Sequence, residues 1–225
     1  MIVTIHQPQY LPWLGYFDKI DKADIFVILD NVQYKKNEWQ NRNRIKIANG
    51  WQWLSVPVLY KFPQKINQVR INNGIDWRRK HLNALSINYG KSLYLNMYRS
   101  FLEDVFLKKW EYLVDINIYC IEFFIKTIGI DTKLLLASKL KLRADPTHRL
   151  IDICKEVEAD TYLAGKDGGN YMDIESFEKE NINVLFQEFQ HPIYNQLFGK
   201  FEPNMSVIDL LLNYGKESLN IIRGN

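Results

Sequence analysis

Apolar positions along the chain change period several times, and each change marks an element. Residues 2–6, "IVTIH", are apolar and β-branched and read as a strand. "LPWLGYFDKIDKA" then carries Leu11, Leu14, Phe17 and Ile20 at helical spacing, with Pro12 suited to a first turn. "ADIFVILD" is an almost unbroken apolar run closed by Asp30. Such a run suggests burial on both faces, as in a parallel sheet, so the first 30 residues predict a right-handed βαβ unit. "NRIKI", the turn signal Asn49-Gly50 and "WQWLSVPV" predict a β-hairpin, with Pro57 at an edge or a strand end. "QVRIN" reads as another short strand.

From Trp77 the period is helical through three segments: "WRRKHLNALSINYG", "YLNMYRSFLEDVFLKKW" and "YLVDINIYCIEFFIKTIG", the last stopped by Gly129. Strand and helix then alternate through "TKLLLAS", "PTHRLIDICKEVE", "TYLAG", "YMDIESFEKEN" and "NVLFQEF", and "SVIDLLLNYG" is expected as the closing helix. The fold class predicted is α/β: a mostly parallel, Rossmann-like sheet with a β-hairpin. The organisation expected is one domain, residues 1–225, with a helical insertion at 77–129.

Composition narrows the class. With 225 residues, 47% hydrophobic and 24% charged, the chain is of ordinary globular type. Its 13 Tyr and 6 Trp can fill a core or line a pocket for flat or sugar-like ligands. The net charge of +3 is small, and most of the excess lies in "YKKNEWQNRNRIKI". A nucleic-acid reading would call for a larger surplus over the whole protein, and a local basic loop fits a phosphorylated small molecule just as well. The two cysteines, Cys120 and Cys154, sit in apolar helical patterns and exclude a disulfide framework or a cysteine-rich zinc site. The start lacks signal-peptide character and no apolar run reaches the roughly 20 residues of a membrane span, so a cytoplasmic protein is expected.

Ligands of doubly wound sheets bind beyond the carboxyl ends of the strands. That rule gathers His6 and Gln7 with Asp30, Asn31 and Gln33, with "GKDGGNY" and with "QHPIYNQ", and lets Tyr10, Trp13 and Tyr16 wall the space. His6 is either a base or donor facing a ligand, or a structural histidine bonded to its own turn. Asp30 either orients that histidine, binds a hydroxyl or amine, or caps a turn. "GKDGGNY", with Gly165 and Lys166, is either a phosphate cradle or a simple glycine-rich turn, and it is no Walker motif. In "KKNEWQNRNRIK", Arg42 and Arg44 fit phosphates, Trp39 a flat ring, and Asn41 or Gln40 sugar hydroxyls. A solvated loop is the other reading. His81, near Arg78, is a further phosphate-contact candidate, and His191 has Gln190, Tyr194 and Gln196 for company. No metal signature, G-x-S-x-G elbow or reactive cysteine setting is visible, so neither a metal nor a covalent nucleophile is expected.

Taken together, "HQPQYLPWLGYFDKI", "DNVQYKKNEWQNRNRI", "GWQWLSVPV", "WRRKHL", "YLAGKDGGNYMD" and "QHPIYNQLFGKFEPNMSVIDLLLNYG" resemble the WbqC-like protein family from residue 2 to about residue 215. The resemblance implies functional weight at His6, Gln7, Tyr10, Trp13, Tyr16, Asp30, Gln33, Trp39, Asn41 and Arg42. It extends to His81, Gly165, Tyr171, His191, Tyr194 and Gln196, while Lys166 departs from the small-residue loop of the family pattern. It further implies a place in O-antigen or surface-polysaccharide synthesis, where a glycine transferase role has been suggested. The activity expected is transfer of an aminoacyl or acyl group, plausibly glycyl, to an amino-sugar of a nucleotide-sugar. His6, Asp30 and His191 would then be the catalytic groups. The expected partners are a nucleotide-sugar and an acyl or aminoacyl donor carrier. A weaker likeness, to the nucleotide-binding half of adenylyl-transferring HxGH enzymes, has Tyr16 where the last histidine would stand and implies an ATP-dependent ligase or nucleotidyltransferase. A noncatalytic sugar-nucleotide binding protein is the remaining alternative.

Overall fold

The computed structural model describes residues 1–170 and 172–224. The first apolar run is β1 (Ile2–His6), followed by helix α1 (Leu14–Asp21) and by β2 (Ile25–Ile28), whose four residues are all buried. The hairpin is β3 (Arg42–Ile47) against β4 (Gly50–Ser55), with Gly50 at φ +105, a conformation that suits glycine. The short strands β5 (Val58–Leu59) and β6 (Arg70–Ile71) pair antiparallel. Three helices follow: α2 (Trp77–Asn88), α3 (Leu95–Leu107) and α4 (Leu113–Ile128), the last closed by Gly129 at φ +88. The α/β alternation resumes with β7 (Lys133–Leu136), α5 (Pro146–Glu156), β8 (Thr161–Ala164), α6 (Ile174–Lys179) and β9 (Asn183–Phe186). Helices α7 (Val207–Tyr214) and α8 (Ser218–Arg223) complete the order.

Strands β7-β2-β1-β8-β9 form one sheet in that order, every pair parallel. The chain leaves β1 on one side for β2 and later returns to its other side with β8. That reversal of strand order opens a crevice beyond the carboxyl ends of β1 and β8, where His6 and Gly165 lie.

Alternating side chains explain why both faces of the sheet are covered. Phe26 and Ile28 point into one core with residues of α1, α4 and α7, whereas Val3, Ile5, Ile25 and Val27 point into a second core with residues of α5 and α6. None of the helices among the described residues is long and apolar enough to cross a membrane.

Two expectations are corrected. Helix α1 begins at Leu14, not Leu11. Leu11 takes the left-handed φ of +43, and the Pro12 carbonyl accepts from the Val207 N–H at 2.8 Å, so the chain turns there before the helix starts. A helix also follows "SVIDLLLNYG". Helix α8 packs against α1, with Arg223 forked on Asp21 at 2.7 and 2.8 Å.

Candidate functional site

The turn after β1 is held from several directions. The Gln7 carbonyl accepts from His6 Nδ1 at 3.0 Å and from the Tyr16 hydroxyl at 3.2 Å. The Tyr10 N–H donates to the Trp39 carbonyl at 2.9 Å, and the Gln40 side-chain amide donates to Gln7 Oε1 at 2.5 Å. These bonds lay the basic loop 31–41 across the turn. Trp13 caps α1, and its ring lies over the first turn of the helix. A Cβ at position 15 would meet that ring at 2.3 Å, so only glycine fits. Trp13 stacks on His191 with ring centroids 6.4 Å apart and meets the edge of Phe189 at 5.5 Å.

Two adjoining lobes open above the sheet and share His6, Trp13 and Asp167. The larger, about 640 Å³, is lined further by Gln7, Gln9, Lys35, Glu38, Trp39, Gln40, Arg44 and Asn204. The smaller, about 370 Å³, is lined by Gly15, Tyr16, Lys19, Gly165, Lys166, Gly168, Gln187 and Phe189. Because a carbonyl can only accept, the Gln7 contact puts a proton on His6 Nδ1 and leaves Nε2 as the bare acceptor. Burial, with help from the nearby Lys19 charge, brings His6 down to about 4, so the imidazole is neutral at pH 7. Lys19 is 3% exposed and donates to the Ile5 carbonyl at 2.9 Å; burial brings it down to about 7.

A second groove of about 390 Å³ adjoins the larger lobe and shares Glu38, Trp39 and Arg44 with it. Its walls are an alternating stack of cations and indoles. Arg42 lies 4.3 Å from the Trp53 ring, and Arg44 lies 4.9 Å from Trp51 and 5.6 Å from Trp39. Residues 42 and 44 share one face of β3, which is why the two guanidinium groups line up.

The cleft gathers His6, Gln7, Trp13, Tyr16, Trp39, Gln40, Arg44, Gly165 and Lys166 of the residues singled out from the sequence. Arg42 lies in the neighbouring groove, and His191 supports Trp13 from behind. His191 Nδ1 donates to the Pro192 carbonyl at 2.9 Å while Nε2 accepts from the Asn204 N–H at 3.0 Å, which requires the neutral ring that its burial also favours. The others point elsewhere. Tyr10 is fully buried and its hydroxyl meets His81 Nδ1 at 2.9 Å. Burial lowers His81 to about 4. Asp30 accepts from the Ser138 N–H at 2.9 Å and from the Asn67 amide at 3.4 Å. Asn41 donates to the Val56 carbonyl at 3.0 Å, and Gln33 to the Tyr34 carbonyl at 3.0 Å. Tyr194 and Gln196 both donate to the buried Asp209, at 2.8 and 2.9 Å, beside Tyr89 at 2.7 Å. Tyr171 lies outside the described residues.

Several lining residues carried no sequence signal. Lys19 reads as an ordinary lysine of an amphipathic helix, yet seven of the eight α1 residues are buried and no solvated face exists for it. Gln9 is 6% exposed and its Oε1 has no partner among the described residues. Asp167 and Gln187 look like turn and strand-end residues; Gln187 is fixed by bonds to the Gly15 carbonyl at 2.8 Å and to Asp18 at 2.6 Å.

Comparison with known proteins agrees with the motifs. The chain is 36% identical to the uncharacterized protein Rv1507c of Mycobacterium tuberculosis over 225 residues, covering 98% of this chain and 97% of that one. No solved structure matches the chain significantly. The WbqC-like protein family matches residues 7–221, from the glutamine beside His6 into the last helix, and the chain belongs to that family.

Proposed function

We propose that the cleft binds a nucleotide-linked amino-sugar and that the protein transfers an acyl or aminoacyl group, glycyl foremost, to its amine during surface-polysaccharide precursor synthesis. The observation that carries this reading is His6. A neutral imidazole with Nδ1 committed to a carbonyl and Nε2 free lies at the junction of two lobes, where two reactants would meet. The larger lobe suits the nucleotide-sugar: Trp13 and Trp39 offer faces for a base or a sugar ring, and Arg44 and Lys35 offer charge for phosphates. The smaller lobe is left for the donor.

In the transfer, the amine nitrogen attacks the carbonyl carbon of an activated acyl donor. A C–N bond forms, and the bond to the leaving group breaks. His6 Nε2 accepts the proton that the amine loses and returns it to the leaving group. A base near pKa 4 is weak at pH 7; burial is the larger cause and the Lys19 charge the smaller, and a bound phosphate would oppose that charge and raise the histidine.

The test incubates the protein with nucleotide-linked amino-sugars and an activated glycyl donor, a glycyl thioester, and in parallel with free glycine and ATP. Thermal stabilisation reports binding, and mass spectrometry reports the amide. Amide formation that falls by about 10²–10⁴-fold in a folded His6→Ala variant is the expected result. Full activity in that variant removes His6 from the chemistry. AMP and pyrophosphate appearing only with an amino acid present would move the assignment to an ATP-dependent ligase, and saturable binding without product would make the protein a sugar-nucleotide binder.

A further inference from the structure

Lys19 raises a problem of charge that the transfer scheme does not use. Its side chain is 3% exposed, and the Ile5 carbonyl is its only hydrogen-bond partner among the described residues, which leaves two of its three N–H donors unclaimed. The neighbouring carboxylate on the helix, Asp18, is committed to Lys22 at 2.8 Å and to Gln187 at 2.6 Å. No carboxylate lies within 4.0 Å of Lys19 among the described residues. A buried ammonium without a counter-ion is costly, and proteins seldom keep one that nothing completes. Here the ammonium lines a cavity rather than a sealed core. The lobe beside it is about 370 Å³ and takes a second cation, Lys166, from the turn after β8.

Gly165 opens that same turn, and a Cβ there would find no atom within 4 Å, so the space above it is free. We propose that the smaller lobe is a seat for an oxyanion, phosphoryl or carboxylate, of the second reactant, and that Lys19 is the residue that binds it. The inference rests on the cleft being the ligand site described above, and it assigns the donor's charged end to one lobe.

The seat has a pH signature. The titratable groups that line the lobe with Lys19 are His6 from β1, Tyr16 on its own helix, and Lys166 and Asp167 from the turn after β8. Of these, Lys166 assists an anion and Asp167 opposes it, while His6 and Tyr16 are neutral at pH 7. Burial brings Lys19 to about 7, so the free lysine loses its proton as pH rises through neutrality. Anion affinity is therefore full below that value and falls by about tenfold per pH unit above it.

The experiment measures pyrophosphate and acetate binding by calorimetry from pH 6 to pH 9 in the wild type, Lys19→Met and Lys19→Arg, with chemical denaturation of each unliganded protein. The proposal expects Lys19→Met to lose anion binding and its pH dependence, and to become more stable when empty, because an uncompensated buried charge has gone. Lys19→Arg restores binding without the fall above neutrality. Preference for pyrophosphate or for acetate identifies the oxyanion as phosphoryl or carboxylate. Wild-type affinity in Lys19→Met overturns the seat, as does an affinity in the wild type that does not change with pH. Should Lys19→Met not fold, pyrophosphate must still protect Lys19 of the wild type from an amine-acylating reagent, and failure to do so is equally decisive. Nucleotide-sugar binding that survives in Lys19→Met, or anion binding that survives where no amide forms, separates this inference from the transferase assignment.

Discussion

Replacing Gly15 by alanine puts two effects of opposite sign at one atom. On backbone grounds alone the change should help, since glycine inside a helix is worse than alanine by about 0.5–1 kcal/mol. Packing says otherwise. The added Cβ would lie 2.3, 2.5 and 2.7 Å from three carbons of the Trp13 ring, against the roughly 3.5–4.0 Å at which carbon atoms rest. The ring would have to move by about 1 Å or more. It is not free to do so: Trp13 bridges to Ser206, stacks on His191 and abuts Phe189. Overpacking costs about 1–3 kcal/mol and a clash this close falls at about 3, so after the helix gain of about 0.5–1 the net loss should be about 2–2.5 kcal/mol, or roughly 4–10 °C in Tm for a chain of this size.

Because Trp13 walls both lobes, ligand affinity should fall with stability, and the indole signal in near-ultraviolet dichroism should change. Gly165→Ala is the control. It has no atom within 4 Å of its Cβ and no left-handed φ, and it should stay within about 0.5 kcal/mol of the wild type. Urea unfolding followed by far-ultraviolet dichroism measures both. A Gly15→Ala protein as stable as the wild type, with an unchanged indole signal, would refute the placement of Trp13 over the helix.

Acid should expose the buried histidines. His81 is held near 4 in the folded protein against about 6.5 unfolded, so the unfolded chain binds the proton first and stability falls as pH drops from 6.5 to about 4. His81→Phe should remove up to about 3 kcal/mol of that fall, read as a shallower loss of urea midpoint with acid; an unchanged slope would mean that His81 is not shielded from water. In the cleft, Arg44→Ala should weaken a nucleotide-sugar by about tenfold and flatten the salt dependence, while Arg42→Ala, one groove away, should cost less. Equal losses in calorimetry would show that the ligand spans both grooves.

The fold was legible where a single physical demand sets the pattern. Burial on both faces makes "ADIFVIL" continuous, and the Asn49-Gly50 turn fixes the hairpin. The start of α1 was not legible, because the turn before it is tied to distant residues: the carbonyl of the left-handed Leu11 accepts from the Asn43 amide 32 positions on, and the Pro12 carbonyl from the Val207 N–H about 195 positions on. The site divides the same way. The rule for strand ends brought His6, Gln7 and Gly165 to one place, since topology alone governs it. The same rule could not separate a polar side chain aimed into the cleft from one consumed by the interior. In the sequence Asn41 looks like a sugar-binding amide and Gln196 like a companion of His191, yet their donors meet the Val56 carbonyl and Asp209. Lys19 is the converse: a charge that looks solvated until every face of its helix is seen to be covered.

The opening motif thus holds two kinds of residue, and neighbouring positions should fail in different ways. Tyr10 is fully buried, and its hydroxyl is spent on His81 away from both lobes. Tyr10→Phe strands a hydrogen-bonding group in the core, so it should lower stability by about 1 kcal/mol and leave ligand affinity alone. Gln9 is the opposite case. It lines the larger lobe at 6% exposure with Oε1 unpartnered, and an orphaned buried acceptor costs about 1–3 kcal/mol. A protein keeps such a group where a ligand donor completes it. Gln9→Leu should therefore raise the stability of the empty protein by about 1 kcal/mol and weaken the nucleotide-sugar by about tenfold. If Gln9→Leu instead lowers stability and spares affinity, its amide belongs to the scaffold. Recognition in the larger lobe must then come from His6 Nε2 and from the Trp39 and Arg44 side of the cleft.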